Sequence, residues 1–373
     1  MNAQVSLVRC QNYAPSFVQG SVRKATDLLG GITGIIKPAS RVLLKPNLLM
    51  GIEPERGVTT HPEVVRQVIR LLKEIDCKVL VGDSPSVWGD EIENIDRVYD
   101  LTGMKRLCAE EGVELVRFSR RRIRRKFPLT AWLDECDHLV SIPKFKTHNL
   151  TTLTGAIKNL FGLVCGTYKT EIHKNYFEAE DFARALVDIY EEAQPSLTIV
   201  DGIIAMEGEG PATGGKLRSL GLVLAGKDAV ALDAVMARIM GIEPMDLLTV
   251  REAALRGLGE AGLKRITCLG ERLEDLKIEP FLLPPPSLLR SRIPRPVVNL
   301  AKRLIRYYPC LEADNCVACA TCIKACPQNA ITLKGRRVSF NYSRCIACFC
   351  CQEVCPHAAI KIRRSALARW IGL

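Results

Sequence analysis

The chain has no apolar run of the roughly 18 residues that a membrane-spanning helix needs. Its first residues, MNAQVSLVRCQNY, carry no basic segment followed by an apolar core. No secretory signal is therefore expected, and the cytoplasm is the expected compartment. Neither usual phosphate loop is present: there is no G-x-x-x-x-G-K-[ST], and no G-x-G-x-x-G follows a first strand. GEGPATGG (208–215) is glycine-rich but fits neither pattern, and a flexible loop explains it at least as well as a phosphate cradle. Zinc-finger, RNA-binding and clear helix-turn-helix patterns are missing, so nucleic acid is not an expected partner.

Negative charge is scarce in the last quarter of the chain. Residues 281–373 hold 15 Lys/Arg against 3 Asp/Glu, whereas the first 280 hold 37 against 38. The net +11 therefore belongs to the tail. Part of that excess offsets thiolate-bound clusters, and the rest suits an acidic redox partner protein or peripheral contact with an anionic membrane surface. RFSRRRIRRK (117–126) is a second basic feature, read either as a solvated face or as an entry patch for an acidic partner.

Cysteine is the residue in excess, with 16 in 373. Half lie in two runs of one spacing, Cys316, Cys319, Cys322, Cys326-Pro327 and Cys345, Cys348, Cys351, Cys355-Pro356. C-x2-C-x2-C-x3-C-P places three thiolates around one [4Fe–4S] cube and sends the fourth to the other cube. The expectation is two [4Fe–4S] clusters, one on Cys316, Cys319, Cys322 and Cys355, the other on Cys345, Cys348, Cys351 and Cys326. Zinc is the alternative, but zinc sites favour separate C-x2-C pairs over eight interlocked ligands. Cys350 is extra within the second run and could exchange with Cys351. The remaining cysteines read as buried small hydrophobes in a reducing compartment.

Ahead of the cysteines, short apolar runs alternate with helical patterns. Expected strands are 5–9, 41–45, 78–83, 113–118, 138–142, 197–202 and 220–226. Expected helices include 62–75, whose Val64, Val65, Val68, Ile69, Leu72 and Ile75 share a face, and 179–193 and 228–240. This alternation predicts an α/β domain over 1–280 with a largely parallel sheet and helices on both faces. FLLPPPSLLRSRIPRP (281–296) reads as a linker. VVNLAKRLIRYY (297–308) reads as a basic amphipathic helix that docks the tail or touches a membrane. A small α+β two-cluster ferredoxin-like domain is expected over 310–373.

In open α/β sheets ligands sit beyond the carboxyl ends of the strands. Four such ends here are polar: Lys45-Pro46-Asn47, Gly82-Asp83-Ser84, Pro143-Lys144 and Asp201-Gly202. The third opens PKFKTHNLTTLTGAIKNLFG (143–162), followed by YKTEIHK (168–174). Together they offer Lys144, Lys146, His148, Thr154, Lys158, Asn159, Lys169 and His173. Lysines with hydroxyls and an amide suit a phosphate, a carboxylate or a flavin phosphate. His148 and His173 are expected as proton donors or metal ligands, with Lys144 beside them as a catalytic group. Lys45, Asn47, Asp83, Ser84, Lys146, Lys158 and Asn159 are expected to bind a flavin or other anionic cofactor or substrate. The other reading is a solvated lysine loop with ordinary histidines.

VLLKPNLL, TTHPEVV, GDSP, PKFKTH, LTGAIKNLFG, the YKTEIHK histidine and VDGIIAMEGEGP occur in order across residues 5–280. In that order they resemble the domain of unknown function 362 family, and residues 310–362 resemble bacterial-type two-cluster ferredoxins. The resemblance implies an α/β fold and an anaerobe-type iron–sulfur protein, and supplies no substrate. Likeness to the lactate-racemase-type fold would be distant, and its histidine-rich metal pattern is not evident here. Two functions follow as expectations. One is an anaerobic oxidoreductase whose clusters serve an anionic ligand at the strand ends. The other is a non-catalytic electron carrier or iron–sulfur assembly factor whose α/β domain docks partners.

Overall fold

The computed structural model describes residues 2–85, 94–284 and 307–365. The strands in chain order are β1 (Ala3–Arg9), β2 (Arg41–Pro46), β3 (Lys78–Val81), β4 (Glu114–Leu115), β5 (Arg121–Arg124), β6 (Phe127–Thr130), β7 (His138–Ile142), β8 (Lys144–His148), β9 (Thr152–Thr154), β10 (Leu197–Gly208), β11 (Gly215–Gly226) and β12 (Ile266–Gly270). The helices of this part are α1 (Pro15–Asp27), α2 (Pro62–Lys73), α3 (Asn94–Leu101), α4 (Met104–Glu111), α5 (Trp132–Glu135), α6 (Ala156–Asn159), α7 (Tyr168–Asn175), α8 (Ala179–Ala193), α9 (Ala229–Ile239) and α10 (Leu248–Leu255).

One sheet runs in the order β12-β1-β11-β10-β7-β2-β3-β4, with β8 added beside β10 and β9 beside β8. The β10-β7-β2-β3-β4 half is parallel, and β11 is antiparallel to both β1 and β10. The sheet is apolar on both faces because neighbouring residues of one strand point opposite ways. Leu43 of β2 joins a core built with α8, α9 and α10, while Val42 and Leu44 join a second core built with α1, α2 and α4. Helix α2 starts where Pro62 supplies a fixed φ and the His61 ring accepts from Glu63 N. It then buries Val64, Val65, Val68, Ile69 and Leu72 as its periodicity requires. Helix α9 is capped by Asp228, whose carboxylate accepts from Val230 N and Ala231 N.

The C-terminal unit holds β13 (Tyr307–Leu311), α11 (Thr321–Lys324), β14 (Ile331–Lys334), β15 (Arg337–Phe340), α12 (Cys350–Glu353) and β16 (Ile360–Arg364). β13 pairs antiparallel with β16, and β14 with β15.

Several expectations need correction. Of the amphipathic helix read over 297–308, residues 297–306 lie outside the described residues, as do 285–296 of the linker; Tyr307 and Tyr308 are strand. The strand read over 113–118 shrinks to Glu114–Leu115 at the sheet edge. PKFKTHNLTT, for which a solvated lysine loop is the alternative reading, forms β8 and β9, because buried partners inside the domain satisfy its lysines. The 117–126 run is largely neutralised at home. Arg117 pairs with Asp96, Arg120 with Glu135, Arg124 with Asp134, Arg125 with Glu191 and Glu192, and Lys126 with Asp188. It is a self-paired face and offers little to an acidic partner.

Candidate functional site

The carboxyl ends of β2 and β3 lie side by side and meet α6 and α7 in a cavity of about 50 Å³. Its lining includes Lys45, Asn47, Asp83, Ser84, Lys146, His148, Thr154, Lys158, Asn159, Lys169, His173 and, from the C-terminal unit, Glu353. Four lysines therefore face two carboxylates among the described lining residues.

Lys45 is fully buried, and its Nζ lies 2.7 Å from Asp83 Oδ1. Asp83 also accepts from Leu48 N and Ser84 N, which fixes the carboxylate. Gly162 packs against this pair and leaves no room there for a Cβ. Asn159 donates to Ser141 Oγ and Lys45 O, so its Oδ1 is turned to accept from Lys45 Nζ and Asn47 Nδ2. That network leaves Asn47 Oδ1 buried without a hydrogen-bond partner. Thr154 Oγ1 is in the same condition.

The other three lysines lack a carboxylate of their own. Lys146 donates to Val58 O at 2.5 Å. Lys169 donates to Ser84 O and, at 3.3 Å, to Pro85 O. Lys158 faces the rings of Phe161 and Phe182. Burial pushes all three ammonium groups down, Lys146 furthest. Lys169 falls to about 7, burial outweighing the attraction of Asp83. An anion bound among them opposes that shift and lets the lysines keep their charge.

His148 Nδ1 accepts from Leu150 N at 3.1 Å and Thr151 N at 3.4 Å, which places the ring proton on Nε2. Nε2 lies 3.2 Å from Glu353 Oε1, although neither atom makes an aligned hydrogen bond. Burial, with Lys158 nearby, holds His148 down at about 4. His173 stacks on Phe182 at 4.5 Å, and burial holds it at about 3. Burial raises the Glu353 carboxyl, but His148, Lys158 and His173 outweigh it and keep the group near 2. Both histidines are neutral and Glu353 is ionised at neutral pH. Among the described residues no three His, Cys, Asp or Glu side chains are arranged to hold a single metal ion. His148 and His173 sit near Lys158 and Glu353.

Lys144 stands apart from this cavity. Its Nζ donates to Asp201 Oδ2 at 2.9 Å and to Tyr13 OH at 2.6 Å, and Asp201 also accepts from His61 N. Two of the four polar strand ends therefore form a separate buried ion pair. Glu353 was not anticipated. Its one sequence signal is that no other Asp or Glu follows residue 314.

Glu353 reaches the cavity because α12 is docked by its neighbours. Gln352 accepts from Asn149 Nδ2 and donates to Glu209 O, and Thr213 donates to Cys355 O. The cysteines around α12 gather as their spacing requires. Cys322 lies in electrostatic range of Cys316, Cys319 and Cys355. Cys351 lies in range of Cys345, Cys348 and Cys326, and also of Cys322 in the other set. Ala318, Ala320 and Asn329 take positive φ, and Ala347, Phe349 and Ala358 repeat them 29 residues on. Such turns point backbone N–H groups inward at an anionic centre. Ala330 N donates to Cys326 Sγ and Ala359 N to Cys355 Sγ, the N–H···S bonds that tune cluster potential. These residues fit iron–sulfur ligation.

Residues 42–238 match the model of the family described as a domain of unknown function, DUF362, and residues 315–359 match a 4Fe-4S dicluster domain. A thylakoid-associated protein of Synechocystis sp. is 32% identical over 323 residues, spanning 83% of this chain and 99% of that protein. The lactate racemase apoprotein of Thermoanaerobacterium thermosaccharolyticum superposes with a TM-score of 0.39 at 10% identity, over 64% of this chain and 57% of that one. No helix among the described residues is long and apolar enough to cross a membrane.

Proposed function

The chain belongs to the domain of unknown function 362 family and ends in an iron–sulfur ferredoxin domain, and from that premise we propose an iron–sulfur-dependent oxidoreductase acting on a small anion in the lysine-lined cavity. One observation carries this reading: Glu353, two residues from the ligand Cys351, is itself part of the cavity wall. Electron-carrying and ligand-holding parts thereby share one helix turn.

Cys316, Cys319, Cys322 and Cys355 would hold one [4Fe–4S] cluster, and Cys345, Cys348, Cys351 and Cys326 a second. When bound, these clusters supply one-electron transfer. Lys146, Lys158 and Lys169 attract and orient the anion in a site that excludes water. The Lys45–Asp83 pair and Asn159 hold the strand ends at fixed spacing. His148, neutral and with its proton on Nε2, turns that N–H toward Glu353 on the cavity wall and holds the carboxylate in place. His173 keeps the far wall dry through its stacking on Phe182. The flavin expectation is not carried forward, since such ligands need sites of about 300 Å³ or more. An acidic redox protein is the partner class favoured by Lys334, Arg336, Arg337 and Arg344, which are exposed and make no ion pair among the described residues.

The test uses anaerobically reconstituted protein, reduced with dithionite and freed of excess reductant. Nitrite, sulfite and short 2-oxo carboxylates are then added in turn, and reoxidation is followed by visible absorbance. One of them should reoxidise wild-type protein far faster than Lys158→Met protein of equal iron content. Equal rates in both proteins, or prompt electron delivery to an acceptor protein with no dependence on Lys158, would favour the carrier reading instead.

A further inference from the structure

We infer that the cavity takes a small carboxylate that also bears a hydrogen-bond donor next to the carboxyl group, as a hydroxyl or an amine. This rests on the reading above in one respect, that the cavity is where the ligand binds.

The size comes first. About 50 Å³ holds only a few water-sized groups. The charge comes next. Asp83 already answers Lys45 at 2.7 Å, which leaves Lys146, Lys158 and Lys169 against Glu353 alone. A ligand that carries negative charge lets these lysines keep their protons in the interior. Lys158 is the freest donor, since it makes no hydrogen bond or ion pair among the described residues and only faces two rings.

The unpartnered atoms then decide between kinds of anion. A buried polar atom without a partner costs about 1–3 kcal/mol, so each one in a cavity wall calls for something. Thr154 Oγ1 can donate, which an anion satisfies. Asn47 Oδ1 can only accept. Its orientation is not arbitrary: Asn159 Oδ1 must receive the Asn47 amide N–H, because Asn159 Nδ2 is already given to Ser141 and Lys45. Glu353 Oε1 is the other acceptor, but it has His148 Nε2 at 3.2 Å. Asn47 Oδ1 is thus the atom that asks the ligand for a proton. Simple oxyanions without an O–H or N–H leave it unanswered. A carboxylate with an adjacent hydroxyl or amine satisfies the lysines, Thr154 and Asn47 together.

Isothermal titration calorimetry of the cluster-loaded, anaerobic protein tests this with glycolate, glycine, acetate and inorganic phosphate. Glycolate or glycine should bind at least about tenfold more tightly than acetate. Asn47→Leu should erase that preference while leaving acetate binding in place, and Lys158→Met should weaken every anion. Iron content and the circular dichroism spectrum establish that each variant is folded. Equal binding of glycolate, glycine and acetate to the wild type, or a preference that survives Asn47→Leu, overturns the inference. Tightest binding of phosphate overturns it too. If Lys158-dependent reoxidation by some other anion persists in that case, the redox reading stands without this ligand class. If glycolate binds as expected and no anion reoxidises the clusters, the redox reading falls and the ligand class stands.

Discussion

His148 Nε2 lies 3.2 Å from Glu353 Oε1, across the seam between the α/β body and the cysteine-rich unit. Both groups are almost fully buried, and both wall the same cavity. The cavity therefore lies at the seam between the two parts of the chain.

Gln352 should be the fastener of that seam. Gln352→Ala removes the partner of Asn149 Nδ2 and frees the carbonyl of Glu209. Leaving such buried groups unmade costs about 1–3 kcal/mol. The loss should appear as faster hydrogen exchange at residues 148–150 and 209–214, with the sheet of the α/β body unaffected. Unchanged exchange there would mean that the docking lies elsewhere.

Lys45→Met should be among the most damaging single changes in the cavity. It strands the Asp83 carboxylate in the interior, and breaking a buried pair from one side costs about 3–5 kcal/mol. Denaturant unfolding of the α/β transition reads this directly. The double variant Lys45→Met, Asp83→Leu should recover part of the loss.

Cys326→Ser and Cys355→Ser should impair opposite clusters. Cys326 lies with Cys345 and Cys351, and Cys355 with Cys322. Iron analysis should fall from about eight atoms per chain toward four in each variant, or leave a three-iron centre. The electron paramagnetic resonance signal that survives should differ between the two. The same surviving signal in both variants would contradict the crossed assignment.

Acid should loosen the protein before carboxylate protonation does. His148 and His173 sit at about 4 and about 3, below the ordinary imidazole value of about 6.5. Between those limits the unfolded chain binds protons that the folded chain does not, so stability falls as pH drops through that window. Above about 6.5 the contribution is complete. Unfolding curves for wild type and His173→Phe from pH 7 to 4 should converge as acid is added. Parallel curves would show that His173 is not held neutral by burial.

The sequence made the architecture legible where periodicity was strong. Residues 179–193 are helix to the residue, and β2 and β7 fall where their apolar runs lie. The cysteine sets were legible for a different reason, since ligand spacing is a geometric constraint that leaves little freedom. For PKFKTH the alternative of a solvated lysine loop stayed open because lysines look solvated in one dimension, while the fold gives them Asp201 and Val58 O to bond. The pairing of Lys144 with Asp201 could not be seen at all, being 57 residues apart. Glu353 was missed because a lone acid beside cluster ligands carries no pattern. Its meaning arises only when α12 docks on Asn149 and Glu209.

The most direct test of the coupling between cavity and clusters is a redox titration monitored by electron paramagnetic resonance, comparing wild type with Lys158→Met at pH 6, where Lys158 is more readily charged. Lys158 belongs to α6 in the α/β body and is no neighbour in sequence of any cluster ligand. Removing its positive charge should move one cluster, the one on Cys345, Cys348, Cys351 and Cys326, to a more negative potential and leave the other in place. Two unmoved potentials, or two that move equally, would contradict a cavity served by that cluster.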